Sequence, residues 1–259
     1  MQTSARKLTR SVSMFVPSLR ETRVAAQLAA IELLRRPWRP DVAAVGGLNK
    51  EKPVIVDVGA SRGLSVASML MLKPQAQIIA FEPLADLADR LEARYRDRSN
   101  VSVFARALSR DSGNMEIFIP IYRGCIMDTL AALNHDDAEG WINSDRVFWF
   151  NKSELVIKHQ YVDVVRLDDM HTEPDILKIY TQGHEPEVIA GGDETIRNNN
   201  PAILVPARIP RIDACLRDLG YARYAFLEGR FCFEGEGEYF SWYLKPEHRN
   251  KFIYPWTTV

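Results

Sequence analysis

The residues best equipped for chemistry lie in Val56-Asp57-Val58-Gly59-Ala60-Ser61-Arg62-Gly63, an apolar run that enters an Asp-x-Gly-x-x-x-Gly turn. Glycine at such a turn lets the backbone approach a ligand closely, and a helix starting there offers N–H groups. Asp57 puts a carboxylate where an amino acid's ammonium group could be met. Nineteen residues past Gly63, Phe81-Glu82-Pro83 ends a second apolar run with an acid. A carboxylate in that place accepts both hydroxyls of a ribose. Ala105-Arg106-Ala107-Leu108-Ser109 then supplies small and apolar side chains at the height where a flat base would stack. Together the three point to a nucleoside-bearing ligand. A nicotinamide-dependent oxidoreductase is disfavoured, because the second glycine comes too late for G-x-G-x-x-G and no Tyr-x-x-x-Lys follows.

A longer constellation lies downstream: Leu167-Asp168-Asp169-Met170, then Asp175-Ile176-Leu177-Lys178-Ile179-Tyr180-Thr181-Gln182-Gly183-His184-Glu185, then Glu187-Val188-Ile189 and Gly191-Gly192. Lys178, Tyr180 and His184 are its candidate catalytic groups. A histidine, with an unperturbed pKa of about 6.5, suits general-base work; a surface histidine at a helix start is the competing reading. A tyrosine, with a pKa of about 10, is a poor base at neutral pH. Asp168 and Asp169 read equally well as helix caps. His135, His159, His171 and His248 lack metal-ligand spacing, so no metal site is expected.

These residues need strand ends to hold them. From Pro53 onward, strand-like and helix-like segments alternate: strands at 54–58, 77–82 and 101–108, helices at 64–72 and 84–96. Alternation resumes with a strand at 175–180, a helix at 186–198, a strand at 201–207 and a helix at 212–219. Short apolar runs ending in turns are the pattern of buried parallel strands. Extra strands are expected at 114–120 and 161–167, around a polar segment carrying Trp141, Trp149 and Phe150 that would cover an acceptor site. The tail, 222–244, reads as two aromatic-rich strands joined by the Glu-Gly-Glu-Gly-Glu turn at 234–238, an antiparallel hairpin at the edge of the sheet. The fold class is therefore α/β: a mostly parallel, doubly wound Rossmann-like sheet.

Ahead of it, residues 1–16 read as mobile. Ser18-Leu19-Arg20-Glu21 reads as a capping box, and Val24, Leu28, Ile31 and Leu34 follow at helical spacing until Pro37. Residues 37–52 form a linker. The division expected is a basic helical extension with its linker over 1–50 and the main domain over 51–259. Residues 1–50 hold nine Lys/Arg against three Asp/Glu, while the whole chain of 259 residues has a net charge of -1. The balance gives no reason to expect nucleic acid. The basic arm could at most touch a membrane surface weakly. No apolar run approaches the roughly 20 residues of a membrane helix. Cys125, Cys215 and Cys232 form no C-x-x-C pair, which fits a reducing, cytoplasmic setting better than a disulfide framework.

Val-Asp-Val-Gly-Ala, Phe-Glu-Pro, Ala-Leu-Ser, Leu-Asp-Asp and the Ile-Leu-Lys-Ile block with its Gly-x-Glu occur in one order. In that order the chain resembles the FkbM family of S-adenosylmethionine (SAM) dependent methyltransferases, over about 53–244. The resemblance implies the class I methyltransferase fold. It implies that Asp57, Gly59, Ala60, Ser61 and Gly63 cradle the methionine end of SAM, that Glu82 binds its ribose, and that Ala107 and Leu108 line its adenine. It also implies transfer to a hydroxyl of a sugar, glycan or secondary metabolite. Two positions depart from the family pattern: Tyr180 stands where an aspartate is expected, and Pro206 where a glutamate is. Either acid could take a proton or hold a cation. Their replacement motivates an alternative reading, a SAM-binding or scaffold protein without turnover.

Overall fold

The computed structural model describes Lys7, Ser11, residues 17–207 and residues 209–257, with the backbone alone for 17–20. The expected mobile arm and the side chain of Ser18 therefore lie outside the described residues, Lys7 and Ser11 excepted. Helix α1 spans Pro17–Leu34. Glu21 does not reach back along the helix with its Oε1, which instead receives Arg62 and Arg90. Leu28 and Ile31 are buried against Ala67, but Leu34, the last residue of the helix, is 65% exposed, and the chain turns at Arg35 with φ of 49°.

The main sheet follows from strands whose two faces are both apolar. Strands β1 (Val54–Val58), β2 (Gln77–Phe81), β3 (Val101–Phe104), β8 (Ile176–Ile179) and β9 (Ala202–Pro206) are all parallel, in the order β9-β8-β1-β2-β3. Ile55 packs into one core with Val66 and Met69 of α2 (Leu64–Leu72) and Leu91 of α3 (Ala85–Tyr95). Val56 faces a second core with Val188 of α5 (Glu185–Ala190), Ile196 of α6 (Asp193–Asn199) and Ile212 of α7 (Pro210–Asp218). Neighbouring residues on one strand thus feed opposite layers, as a doubly wound sheet requires. The switch in winding direction falls between β1 and β8, where ligands bind in open α/β sheets.

Three boundaries differ from the sequence reading. The helix expected over 186–198 is two helices, α5 and α6, broken at Gly191-Gly192; a Cβ on Gly191 would lie 1.9 Å from the Ser109 carbonyl oxygen. The strand expected over 101–108 splits, and β4 (Ala107–Leu108) joins a second sheet in the order β4-β7-β5-β6. In that sheet β5 (Gly113–Tyr122) and β7 (Leu155–Val165) are the expected extra strands, β6 is Cys125–Ile126, and helix α4 (His135–Gly140) lies between β6 and β7. The 222–244 segment holds three strands rather than two, and a fourth follows it. β10 (Ala222–Leu227) and β11 (Arg230–Phe233) form the antiparallel hairpin across Glu228-Gly229, and β13 (Trp256–Thr257) lies outside them. The 234–238 segment instead leads into β12 (Phe240–Leu244), which inserts between β9 and β10, antiparallel to both. All five residues of β12 are buried, so an edge position would leave apolar surface in water.

Among the described residues the main sheet has nine strands, with β12, β10, β11 and β13 continuing it beyond β9. No helix among them is long and apolar enough to cross a membrane. The segment between α1 and β1 is a 3-10 run, Pro40–Gly47, with Val42, Ala44 and Val45 in the same core as Ile55. It is anchored by Asp41, whose carboxylate accepts the backbone N–H groups of Glu238, Tyr239 and Phe240.

Candidate active site

A cavity of about 390 Å³ opens at the carboxyl ends of β1, β2 and β8, within the roughly 300–1,000 Å³ usual for small-molecule sites. Its floor is the glycine turn. Gly59 has φ of +76°, and a Cβ there would fall 2.1 Å from the Tyr180 carbonyl oxygen, so β1 and β8 approach this closely only around glycine. The turn's N–H groups do not form an open anion cradle. Gly59 and Ala60 both donate to the Phe81 carbonyl, and Ser61 donates to Glu82.

Asp57 lies behind this floor. It is fully buried; its Oδ1 is 2.7 Å from the Lys178 ammonium and its Oδ2 accepts the Ser65 hydroxyl. Lys178 also donates to the Val58 and Gly59 carbonyls. The lysine, expected as a catalytic group, lines the cavity and holds the turn from there. Asp57 and Gly63 do not line the cavity, whereas Gly59, Ala60 and Ser61 do.

Glu82 enters the cavity from the end of β2. Its oxygens accept the N–H groups of Ser61 and Leu84, and burial pushes its pKa up to about 7. Beside it Ala107, Leu108, Ile117 and Leu133 form an apolar wall. On the opposite side stand Tyr180 and the turn after it. Glu185 is fully buried and accepts the N–H groups of Thr181 and Gly183, which shapes that turn. Thr181 lines the cavity, and its buried hydroxyl has no hydrogen-bond partner among the described residues.

His184 also lines the cavity. Its Nε2 lies 2.8 Å from the Ser109 hydroxyl, and burial lowers its pKa below the ordinary 6.5, so the ring is neutral at pH 7. Tyr180 faces the cavity with its ring edge-on to Phe240 at 5.5 Å. Pro206 pairs with Phe240 at the end of β9 and does not line the cavity. The two departures thus occupy different surroundings, and one of them is off the cavity.

The family model for the methyltransferase FkbM domain matches residues 57–222, which contain every one of these cavity groups from Gly59 to His184. The chain belongs to the FkbM methyltransferase family. It is 28% identical over 162 residues to the 2-O-methyltransferase NoeI of Sinorhizobium fredii, a match covering 58% of this chain and 61% of that protein. The shared part is thus under two thirds of the relative's length. Among solved structures it is similar to the methyltransferase FkbM from Methylobacillus flagellatus KT, at 14% identity and a TM-score of 0.47, covering 74% of this chain and 44% of the other. It is also similar to a precorrin-6y C5,15-methyltransferase from Geobacter metallireducens GS-15, at 13% identity and a TM-score of 0.40, covering 80% and 87%.

Several walls of this FkbM-family cavity come from residues the sequence motifs did not single out. The 128–133 segment after β6 lies over it, and Asp128 is tied to Arg62 of the glycine turn at 2.6 Å. The polar middle segment therefore does cover the cavity, but not with its aromatics. Trp149 is 73% exposed, Phe150 stacks on Tyr122 at 5.7 Å, and neither they nor Trp141 line the site. Arg23, Val24 and Gln27 of α1 and Trp38-Arg39 beyond it complete the mouth. The one local hint was Trp38-Arg39 held between Pro37 and Pro40.

Proposed function

We propose that this chain is a SAM-dependent O-methyltransferase acting on a hydroxyl of a sugar, glycan or secondary metabolite. The observation that carries the reading is Glu82, a buried carboxylate presented in a cavity beside the apolar wall of Ala107 and Leu108. That pairing fits the ribose and base of a nucleoside. SAM, when bound, supplies a methyl group on a sulfonium.

The chain's own work is then alignment and proton removal. Ala60 and Ser61 form the floor, and the Asp57–Lys178 pair fixes that floor from behind. His184 is the base: with Nε2–H donated to Ser109, Nδ1 is left to take the acceptor hydroxyl's proton. Oxygen as the acceptor atom is supported by the 2-O-methyltransferase relative and by a neutral imidazole in the cavity.

A second reading, SAM binding without turnover, is favoured by Tyr180, which puts a phenol into the cavity where the family pattern leads one to expect an acid. The test supplies labelled SAM with a pool of free sugars, glycans and phenols and follows S-adenosylhomocysteine. Acceptor-dependent release, with the label recovered as a methyl ether, is the expected result. Tight SAM binding with no release from any acceptor would leave the second reading standing.

A further inference from the structure

The cavity carries more positive charge than its acids balance. Lys178 is matched by Asp57, and Arg62 by Asp128 and Glu21. Arg23, Arg39 and Arg106 also line the cavity, and none has an acid within ion-pair distance among the described residues. Two of the three are exposed at the mouth. Arg39 differs, because its position is built.

Its guanidinium lies 3.7 Å from the Tyr239 ring centre and 4.8 Å from that of Trp38. Both aromatic neighbours are held in turn. The Trp38 N–H donates to Ser68 at 2.8 Å, and the Tyr239 N–H donates to Asp41 at 3.0 Å. Asp41 also accepts the N–H groups of Glu238 and Phe240, so its carboxylate is committed to that loop and reaches Arg39 only as a charge beyond ion-pair distance. Glu238 is the other acid whose charge reaches Arg39, from beyond ion-pair distance. Desolvation is the largest influence on Arg39 and lowers its pKa. A guanidinium stacked in a fixed plane presents its N–H fork at little entropic cost, and that fork matches a carboxylate or phosphate.

We propose that Arg39 is an anion-binding residue of this cavity, receiving a carboxylate or phosphate oxygen of the bound ligand. The source is either the amino-acid carboxylate of SAM, in which case the inference rests on the SAM reading above, or an acidic group on the acceptor. Either way the segment preceding β1 becomes part of the binding site rather than a tether.

The test titrates the full chain, in phosphate-free buffer, with SAM and with 5′-methylthioadenosine, which keeps the nucleoside and lacks the amino-acid end. Wild type, Arg39→Met and Arg39→Lys are compared. In parallel, the three proteins are melted in rising inorganic phosphate and rising glucuronate, with and without saturating S-adenosylhomocysteine. If the cofactor carboxylate is the anion, Arg39→Met weakens SAM on the order of 10- to 100-fold and leaves methylthioadenosine unchanged, with Arg39→Lys in between. If the acceptor carries the anion, both nucleosides bind as in wild type, and the rise in melting temperature with phosphate or glucuronate disappears in Arg39→Met. Equal behaviour of wild type and Arg39→Met toward all four probes would overturn the proposal. So would equal losses of SAM and methylthioadenosine, which mark a packing role. Should wild type bind neither nucleoside, the SAM reading fails, and the melting series alone decides the anion site.

Discussion

Lys178 and Asp57 form an ion pair at 2.7 Å beneath the glycine turn, with 2% and 0% of their side chains exposed. Asp57 is the last residue but one of β1, which enters the turn, and Lys178 lies opposite it on the neighbouring strand β8. The lysine's remaining hydrogen bonds go to the two carbonyls that follow Asp57, so the pair sets the path of the backbone on which a ligand would rest.

Lys178→Met strands a buried carboxylate. Removing one partner of such a pair costs about 3–5 kcal/mol, read as a lower urea midpoint at unchanged slope. The double variant Lys178→Met/Asp57→Leu should recover most of that loss. An unchanged midpoint together with abolished turnover would return Lys178 to a catalytic role.

Glu82 makes ligand binding depend on pH. Burial raises its pKa from 4.5 to about 7, and the ionised form is the better acceptor for ribose hydroxyls. SAM affinity should therefore rise with pH up to about 7 and weaken about tenfold per unit below it. The stability effect has the opposite sense. A raised carboxyl pKa contributes stability below about 4.5 that is lost as pH climbs through about 7. Glu82→Gln should flatten both profiles while weakening SAM about 10- to 100-fold. A wild-type affinity flat from pH 5 to 8 would contradict the assignment.

The parts of this site that could be read from the sequence are those written within a few residues. The Asp57–Gly63 turn, Glu82 at the end of β2 and the Ala107-Leu108 wall each announce themselves locally, through glycine chemistry or an apolar run with a polar end. What was not legible depends on partners far along the chain. Asp57 reads as ligand-facing until Lys178, 121 positions later, is seen to face it. Asp41 looks like a linker acid until it caps the loop at 238–240. β12 cannot be placed inside the sheet by its aromatic pattern, because edge and interior strands both carry aromatics; only its full burial decides.

His184 is expected to behave as a general base. His184→Ala should lower kcat by roughly 10²- to 10⁴-fold with a smaller effect on SAM affinity. Because burial depresses its pKa, the wild-type rate at saturating SAM should be level above 6.5 and fall only at more acidic pH. A rate that keeps climbing between pH 7 and 9 would point to a group of higher pKa.

Tyr180 supplies that contrast. Its ring packs edge-on against Phe240, and its hydroxyl carries no proton in the proposed reaction. Tyr180→Phe should keep kcat within about threefold of wild type, and Tyr180→Asp should give no gain. A marked rise in turnover for Tyr180→Asp would mean that a missing acid limits the reaction.

Asp41→Ala removes the acceptor of three backbone N–H groups in a buried place. A loss of about 2–3 kcal/mol is expected, with faster amide exchange at Glu238, Tyr239 and Phe240. Unchanged exchange at those three amides would show that the loop is held by other contacts.

The most direct test of the central claim is a calorimetric titration of the folded chain with SAM, alongside Glu82→Ala. One-site binding in the micromolar range is expected, weakening by about 10- to 100-fold in the variant. No heat of binding in a sample shown to be folded, or equal affinity in both proteins, would contradict it.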